Sequence, residues 1–243
     1  MKVIEIFGPP GAGKSTLATS LKQVLTEKNL CVDTSLDLRT MRKGKFFLSG
    51  ESIPKKIGLT PLFFSRQILD FTRFLPFLLA PYWTRSELEN FQLLRVAKAF
   101  YKANADRQFA HANRKNIDVV ILDPGWTMMF LNGWLYNRNT IHSNLIKQFL
   151  ISSPRPDLRI GLTINPDLAI ARLKDRTRGA PQRMRQLPEG KWPQVIKNGN
   201  IAVGEICKRA EDFGEETLEG SMGSHLAERD FFQQIINWFD RAE

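Results

Sequence analysis

Eight consecutive residues near the start of the chain, Gly8-Pro9-Pro10-Gly11-Ala12-Gly13-Lys14-Ser15, place glycines, a lysine and a hydroxyl at the spacing G-x-x-x-x-G-K-[ST]. Glycine at 8, 11 and 13 lets the main chain take positive φ angles, so that successive N–H groups turn inward as an anion nest. Pro9 and Pro10 have no N–H to offer, which leaves Gly11, Ala12, Gly13, Lys14, Ser15 and Thr16 as the expected donors. Lys14 adds a mobile point charge for the outer phosphates of a nucleotide, and the Ser15 hydroxyl is a hard oxygen ligand for Mg²⁺. The plain alternative is a glycine turn that opens a helix. The full motif, flanked by a strand pattern before it and a helix pattern after it, argues for the phosphate loop.

Two further groups suit the same chemistry. The apolar run Val119-Val120-Ile121-Leu122 ends in Asp123, where a carboxylate can orient the Mg²⁺ shell from across the phosphate site. The competing reading is an aspartate that starts a turn before Pro124. Asp123 is followed by proline rather than glutamate, so the water-activating carboxylate of a motor ATPase is missing at that place. The stretch from Arg172 to Arg185 holds Arg172, Arg176, Arg178, Arg183 and Arg185 around a Gly179-Ala180-Pro181 break. Such a charge run is ordinarily a solvated helix face. Beside a nucleotide it can serve as a movable lid whose arginines offset charge during phosphoryl transfer, with Arg172, Arg176 and Arg183 the preferred candidates and residues 174–188 the expected lid. Near the end of the second strand, Asp33 and Asp37 are candidates to orient an acceptor hydroxyl, Asp37 being preferred, with a helix cap or turn as its alternative; Arg39 could hold an anionic group.

The elements that must position these residues are legible in outline. Val3, Ile4, Ile6 and Phe7 read as a buried parallel strand running into the glycine turn. Leu17, Ala18, Leu21, Val24 and Leu25 recur at helical spacing from Lys14 to about Lys28. Leu30 to Val32, Ile117 to Leu122 and Leu158 to Ile164 are further strands, the last passing through Asn165-Pro166-Asp167 into a helix with Pro166 in its first turn. Strands alternating with helices predict an α/β fold, a parallel sheet with helices on both faces. Residues of about 40–115 form a long insertion of helical pattern. Its Leu- and Phe-rich part, 57–83, is interrupted by Arg66, Asp70 and Arg73, and is expected to wall an acceptor pocket rather than dock on a membrane or form a homodimer face.

Composition narrows the class. With 42% hydrophobic and 25% charged residues in 243, the chain is neither disordered nor fibrous and is expected to form a single domain over 1–243. Thirty-five basic against 25 acidic residues give a net charge of +10, which suits anionic partners, nucleic acid among them. Cys31 and Cys207 are too few and too far apart for a disulfide framework or zinc site, and are expected to be inert buried thiols in a reducing compartment. The N-terminus has no apolar leader, and no stretch of about 18 uninterrupted apolar residues occurs, so the expected address is cytoplasmic and a membrane partner is disfavoured. His111, His142 and His225 lack ligand spacing and read as surface or capping residues. Trp126, Trp134 and Tyr136 read first as core and second as a stacking surface for a ring.

The loop at Gly8 to Thr16, the strand ending Asp123-Pro124-Gly125, and the Asn165-Pro166-Asp167 helix leading into Arg172 to Arg185 together resemble the P-loop nucleoside and nucleotide kinase superfamily, its thymidylate-kinase-like branch in particular. The opening from Val3 to Thr16 also looks like small kinases of bacterial surface-polysaccharide and phage DNA-modification gene clusters. The resemblance implies a three-layer P-loop fold with a five-stranded parallel sheet, ATP and Mg²⁺ as cofactors, and a loop near Thr217 to Gly223 that flanks the adenine. It implies a kinase acting on a small-molecule acceptor: a nucleoside, nucleotide or sugar. A hydroxymethylated base in DNA is the alternative acceptor, and a nucleotide-dependent switch or ATPase without acceptor is a third reading. Thymidylate kinases carry an arginine after the strand-three aspartate; here Pro124-Gly125-Trp126 follows Asp123, and neither Arg95 nor Arg107 aligns securely with the family's acceptor arginine, so thymidylate itself is not implied.

Overall fold

The computed structural model describes residues 1–38, 40, 103, 106, 107, 109–111, 115–135, 143–177, 179–223 and 225–241. Most of the predicted insertion, the 57–83 segment, Arg39, Arg95, Tyr136, His142 and Arg178 lie outside them. Five strands, β1 (Lys2–Phe7), β2 (Val32–Thr34), β3 (Val119–Leu122), β4 (Leu158–Thr163) and β5 (Thr217–Ser221), form one sheet in the order β2-β3-β1-β4-β5. Every pairing is parallel. The helices are α1 (Lys14–Glu27), α2 (Trp126–Trp134), α3 (Ser143–Ser152), α4 (Pro166–Lys174), α5 (Gln182–Arg185), α6 (Trp192–Asp212) and α7 (His225–Arg241).

Alternation along β1 sorts the layers. Ile4 and Ile6 join Ile121, Ile160 and Leu162 in a cluster under α1, α4 and α7. Phe7 points to the other face, into a cluster with Trp126, Phe130, Phe149, Val203 and Ile206 from α2, α3 and α6. Helices therefore cover both faces, and strands buried on both sides read as apolar runs, as β3 does throughout and β1 does apart from Glu5. The P-loop fold expected from the resemblance, a three-layer α/β sandwich on a five-stranded parallel sheet, is the fold observed.

Because all strands run the same way, their carboxyl ends deliver 8–13, 123–125, 164–165 and 222–223 to one edge of the sheet. The order reverses beside β1, so the loop after β1 opens at the topological switch point. Two contacts stiffen this edge. Asn200 of α6 accepts from the Ile164 N–H at 3.1 Å and donates to the Ile164 carbonyl at 2.8 Å, fixing the end of β4. Gly199, one residue earlier, packs so close to the loop that a Cβ there would lie 2.7 Å from Pro9.

Two expectations, the loop at 217–223 and the burial of Cys31, need correction, whereas Cys207, Trp126 and Trp134 are buried as expected. The segment expected as an adenine-flanking loop, Thr217 to Gly223, is largely strand β5, because it pairs with β4 from Thr217↔Arg159 through Ser221↔Thr163; only Met222 and Gly223 follow it. Cys31 is exposed, and β2 begins at Val32, two residues later than expected, whereas Cys207 is buried. Burial pushes the Cys207 thiol up to about 12; partial burial, with Asp33 and Asp118 nearby, raises that of Cys31. Trp126 and Trp134 are core residues, so neither offers a ring face to a ligand. Among the described residues no helix is long and apolar enough to cross a membrane.

Candidate functional site

The loop takes the form its residue types demand. Gly8, Gly11 and Gly13 have φ of 155°, 85° and 83°, and at Gly8 a Cβ would lie 2.5 Å from the Leu162 carbonyl of β4. Helix α1 starts at Lys14 with no side chain capping it. Its first internal bond is Leu17 N–H to Gly13 O at 2.9 Å, so the N–H groups of Lys14, Ser15 and Thr16 precede any intrahelical acceptor. The helix dipole adds partial positive charge at that point. One expected donor is engaged elsewhere: the Ala12 N–H turns back on the Pro9 carbonyl at 3.3 Å, closing the loop on itself.

Lys14 reaches across the loop and donates to the carbonyls of Gly8 (2.9 Å) and Pro9 (2.8 Å). Burial lowers its pKa to about 8, with Arg176 acting in the same direction and Asp123 against it. The ammonium is thus held at the loop without a carboxylate in ion-pair contact among the described residues. Ser15 donates through Oγ to Asp123 Oδ2 at 2.7 Å. The loop serine and the carboxylate at the end of β3, 108 residues apart, are brought into direct contact. Two hard oxygens side by side, next to open amides and a cation, are a donor set that fits Mg²⁺ carrying a nucleotide's phosphates. Phosphate oxygens would complete such a shell, so no protein-only cluster is needed.

A cavity of about 630 Å³ opens over the loop, within the range of small-molecule sites. Its floor is the loop, through Pro10, Gly11 and Gly13 to Thr16. On the β3 side it is lined by Asp123, Pro124 and, from α2, Met128 and Asn132; on the β4–β5 side by Arg172, Met222 and Glu228. Arg176 and Pro181 line it as well. Arg176 is exposed, and its charge is felt at Lys14.

Other candidates are placed elsewhere. Asp37 does not line the cavity. Thr34 caps a helical turn at 35–38 and Asp37 is its third residue: Asp37 Oδ2 accepts from Thr34 N–H (2.8 Å) and Thr34 Oγ1 (2.7 Å), and the Asp37 N–H approaches Thr34 Oγ1 at 3.4 Å. This is a capping box, with Lys22 pairing at 2.8 Å. Burial works to raise the Asp37 pKa, but the bonds from Lys22 and Thr34 outweigh it and hold the carboxyl low. Asp33 is buried, its pKa raised by burial and by Asp37. Arg183 is also off the cavity, with Nη1 donating to the Asn132 carbonyl at 2.9 Å, while its neighbour Met184 is fully buried. Arg183 therefore ties α5 to α2.

The motif reading missed the groups that hold Asp123 in place. Ser35, buried, accepts from the Asp123 N–H at 3.2 Å. Beneath the next turn lies a buried ionic network. Arg159 of β4 pairs with Glu5 of β1 at 2.8 Å and with Glu215 at 2.8 Å, and also contacts Thr127 Oγ1. Glu5 in turn accepts from the Thr127 N–H at 2.9 Å and Oγ1 at 2.5 Å, at the start of α2. A signal existed: each of two apolar strands carries one charge inside its apolar run, and the sheet register sets Glu5 opposite Arg159. Gly125 has to be glycine here, since a Cβ would lie 2.1 Å from Glu5 Oε1.

No family model and no curated protein matches the chain. Among solved structures, it is similar to deoxyadenosine kinase from M. mycoides with bound dATP, at 17% identity over 99% of this chain and 100% of that one, with a TM-score of 0.47. Shikimate kinase from Bacteroides thetaiotaomicron is 13% identical over 98% of each chain, TM-score 0.42. An uncharacterized protein from Eubacterium ventriosum is 12% identical over 99% of this chain and 98% of that one, TM-score 0.42.

Proposed function

We propose that the chain is a kinase that transfers the γ-phosphoryl group of ATP to a small acceptor: a nucleoside, nucleotide or sugar. The observation that carries this reading is the 2.7 Å contact of Ser15 with Asp123 beside Lys14, at an uncapped helix start. The open N–H groups and Lys14 bind and orient the triphosphate, and Ser15 and Asp123 hold the Mg²⁺ that accompanies it. That ion, when bound, offsets phosphate charge. Arg172 faces the nucleoside part, and Arg176, with no ion pair among the described residues, stands ready for charge that develops on the transferred group. The lid is the stretch of about 174–188, with Arg176 exposed between α4 and α5. The acceptor enters on the β3 side, past Pro124, Met128 and Asn132. A cytoplasmic setting suits two free thiols.

The net charge of +10 favours a second acceptor, a hydroxymethylated base in DNA. A panel of nucleosides, nucleotides, sugars and modified DNA, read by ADP release and labelled product, tests both. Acceptor-dependent release supports a kinase, and steep salt dependence with the DNA arm alone selects the second acceptor. Turnover indifferent to every acceptor would replace the kinase by a nucleotide-dependent switch or ATPase. Asp123→Asn should shift the Mg²⁺ requirement to higher concentration in a metal titration of activity.

A further inference from the structure

The cavity has a direction. Lys14, Ser15 and Asp123 mark the end where the outer phosphates and their metal belong, so the nucleoside must extend toward the opposite wall, built by Arg172, Met222 and Glu228. At that wall two surfaces converge over Gly13: a Cβ built on that residue would lie 3.6 Å from Met222 Cε and 3.7 Å from Arg172 Nη1. A thioether and a guanidinium plane are both suited to the face of a planar ring. The far nitrogen of the same guanidinium, Nη2, donates to Glu228 Oε1 at 3.0 Å. Arg172 therefore spans from the loop to Glu228 and fixes the carboxylate at the outer end of the cavity. Among the described residues, Glu228 Oε2 takes no hydrogen bond and Asp123 is the other acidic side chain that lines this space.

An ionised carboxylate accepts hydrogen bonds and cannot donate them. Resting on the donor-nucleotide reading above, we propose that Glu228 is a specificity-determining residue, which takes the exocyclic amine of the nucleobase on Oε2 and disfavours a base edge that presents a carbonyl in its place. The ligand class is an amino-bearing nucleoside triphosphate. Arg172 is the positioning residue that aims the carboxylate.

The test is calorimetric titration of the full chain with magnesium salts of ATP, ITP, CTP, UTP and dATP. ATP and ITP differ at the 6-position amine, CTP and UTP at the 4-position amine. ATP should bind about ten- to a hundredfold more tightly than ITP, and CTP more tightly than UTP, the scale of one hydrogen bond to a charged group. Glu228→Gln, whose amide both donates and accepts, should bring the ATP to ITP ratio near unity. Glu228→Ala should weaken ATP while leaving ITP unchanged or tighter, a selective loss that unfolding cannot produce. Equal affinities for ATP and ITP in the wild-type chain, or a ratio that survives both substitutions, would overturn the assignment. So would a discrimination between ATP and dATP that Glu228→Gln abolishes while the ATP to ITP ratio stands, since the carboxylate would then be reading the ribose. Failure of every triphosphate to bind the wild-type chain is a different result, which removes the donor-nucleotide reading and this inference together.

Discussion

Two cations, one inside the sheet and one at its carboxyl edge, are treated in opposite ways. Arg159 is fully buried, and its guanidinium is paired with Glu5 and Glu215, with Thr127 alongside. Lys14 sits at the loop with two carbonyls for partners and a pKa lowered to about 8. The first is a charge whose partners are carboxylates of the chain; the second has no carboxylate in ion-pair contact among the described residues, as the proposed nucleotide site requires. A scaffold neutralises what it buries, whereas a binding site keeps charge and open amides unsatisfied at a defined place, at some cost to the stability of the free protein.

The strongest way to break this contrast is to remove the scaffold cation. Arg159→Met should lower unfolding free energy by about 3–5 kcal/mol, because two carboxylates are left buried without a partner. Denaturant titration measures it, and adding Glu5→Gln with Glu215→Gln should recover most of the loss. Removal of the site cation should do the reverse. Lys14→Ala is expected to cost phosphoryl transfer about 10²–10³-fold while leaving the melting temperature no lower than that of the wild type. Retained transfer would contradict the assignment of the loop.

A smaller effect tests the link between the two regions. Gly125→Ala drives a methyl into Glu5, which would have to move and carry the start of α2 with it; a loss of about 1–3 kcal/mol is expected. Nucleotide affinity should then change less than transfer, as Asp123 and the α2 residues shift relative to the loop. The smallest effect is in pH. The folded chain holds the Lys14 proton less tightly, near 8, than an unfolded chain does at its ordinary value of 10.5. Between those limits the unfolded state binds more protons, so this lysine makes stability rise with pH across the window and contributes no slope below it. The difference in urea midpoint between wild type and Lys14→Met, followed from pH 8 to 10, should show this slope; a flat difference would mean that the ammonium is not desolvated.

How much of this was legible depends on the range of the interactions. The strand, glycine turn and helix of residues 2–27 were legible because backbone conformation, missing donors and helical periodicity are local properties. So was the start of α4 after Asn165, with Pro166 in the first turn; that the Asn165 side chain caps it, accepting from the Asp167 N–H at 2.8 Å, came from the structure. Asp123 could be placed at the end of a strand, but not 2.7 Å from Ser15. Asp37 misled because a carboxylate near a strand end suits both catalysis and a capping box, and only the helical turn at 35–38 tells them apart. Arg183 misled in the same way, a lid arginine by pattern and a tie to α2 by contact. Glu228 carries no motif at all.

The order of residues alone determined the glycine loop between strand and helix, the parallel α/β class and the supply of cations, since each follows from conformational freedom, periodicity or composition within a few neighbouring residues. The folded chain decided which charges are neutralised and which stay open. That outcome depends on strands far apart in sequence lying side by side, as Glu5 and Arg159 do, and on the parallel sheet bringing four strand ends to one edge, where electrostatics acts over distances that sequence separation does not measure.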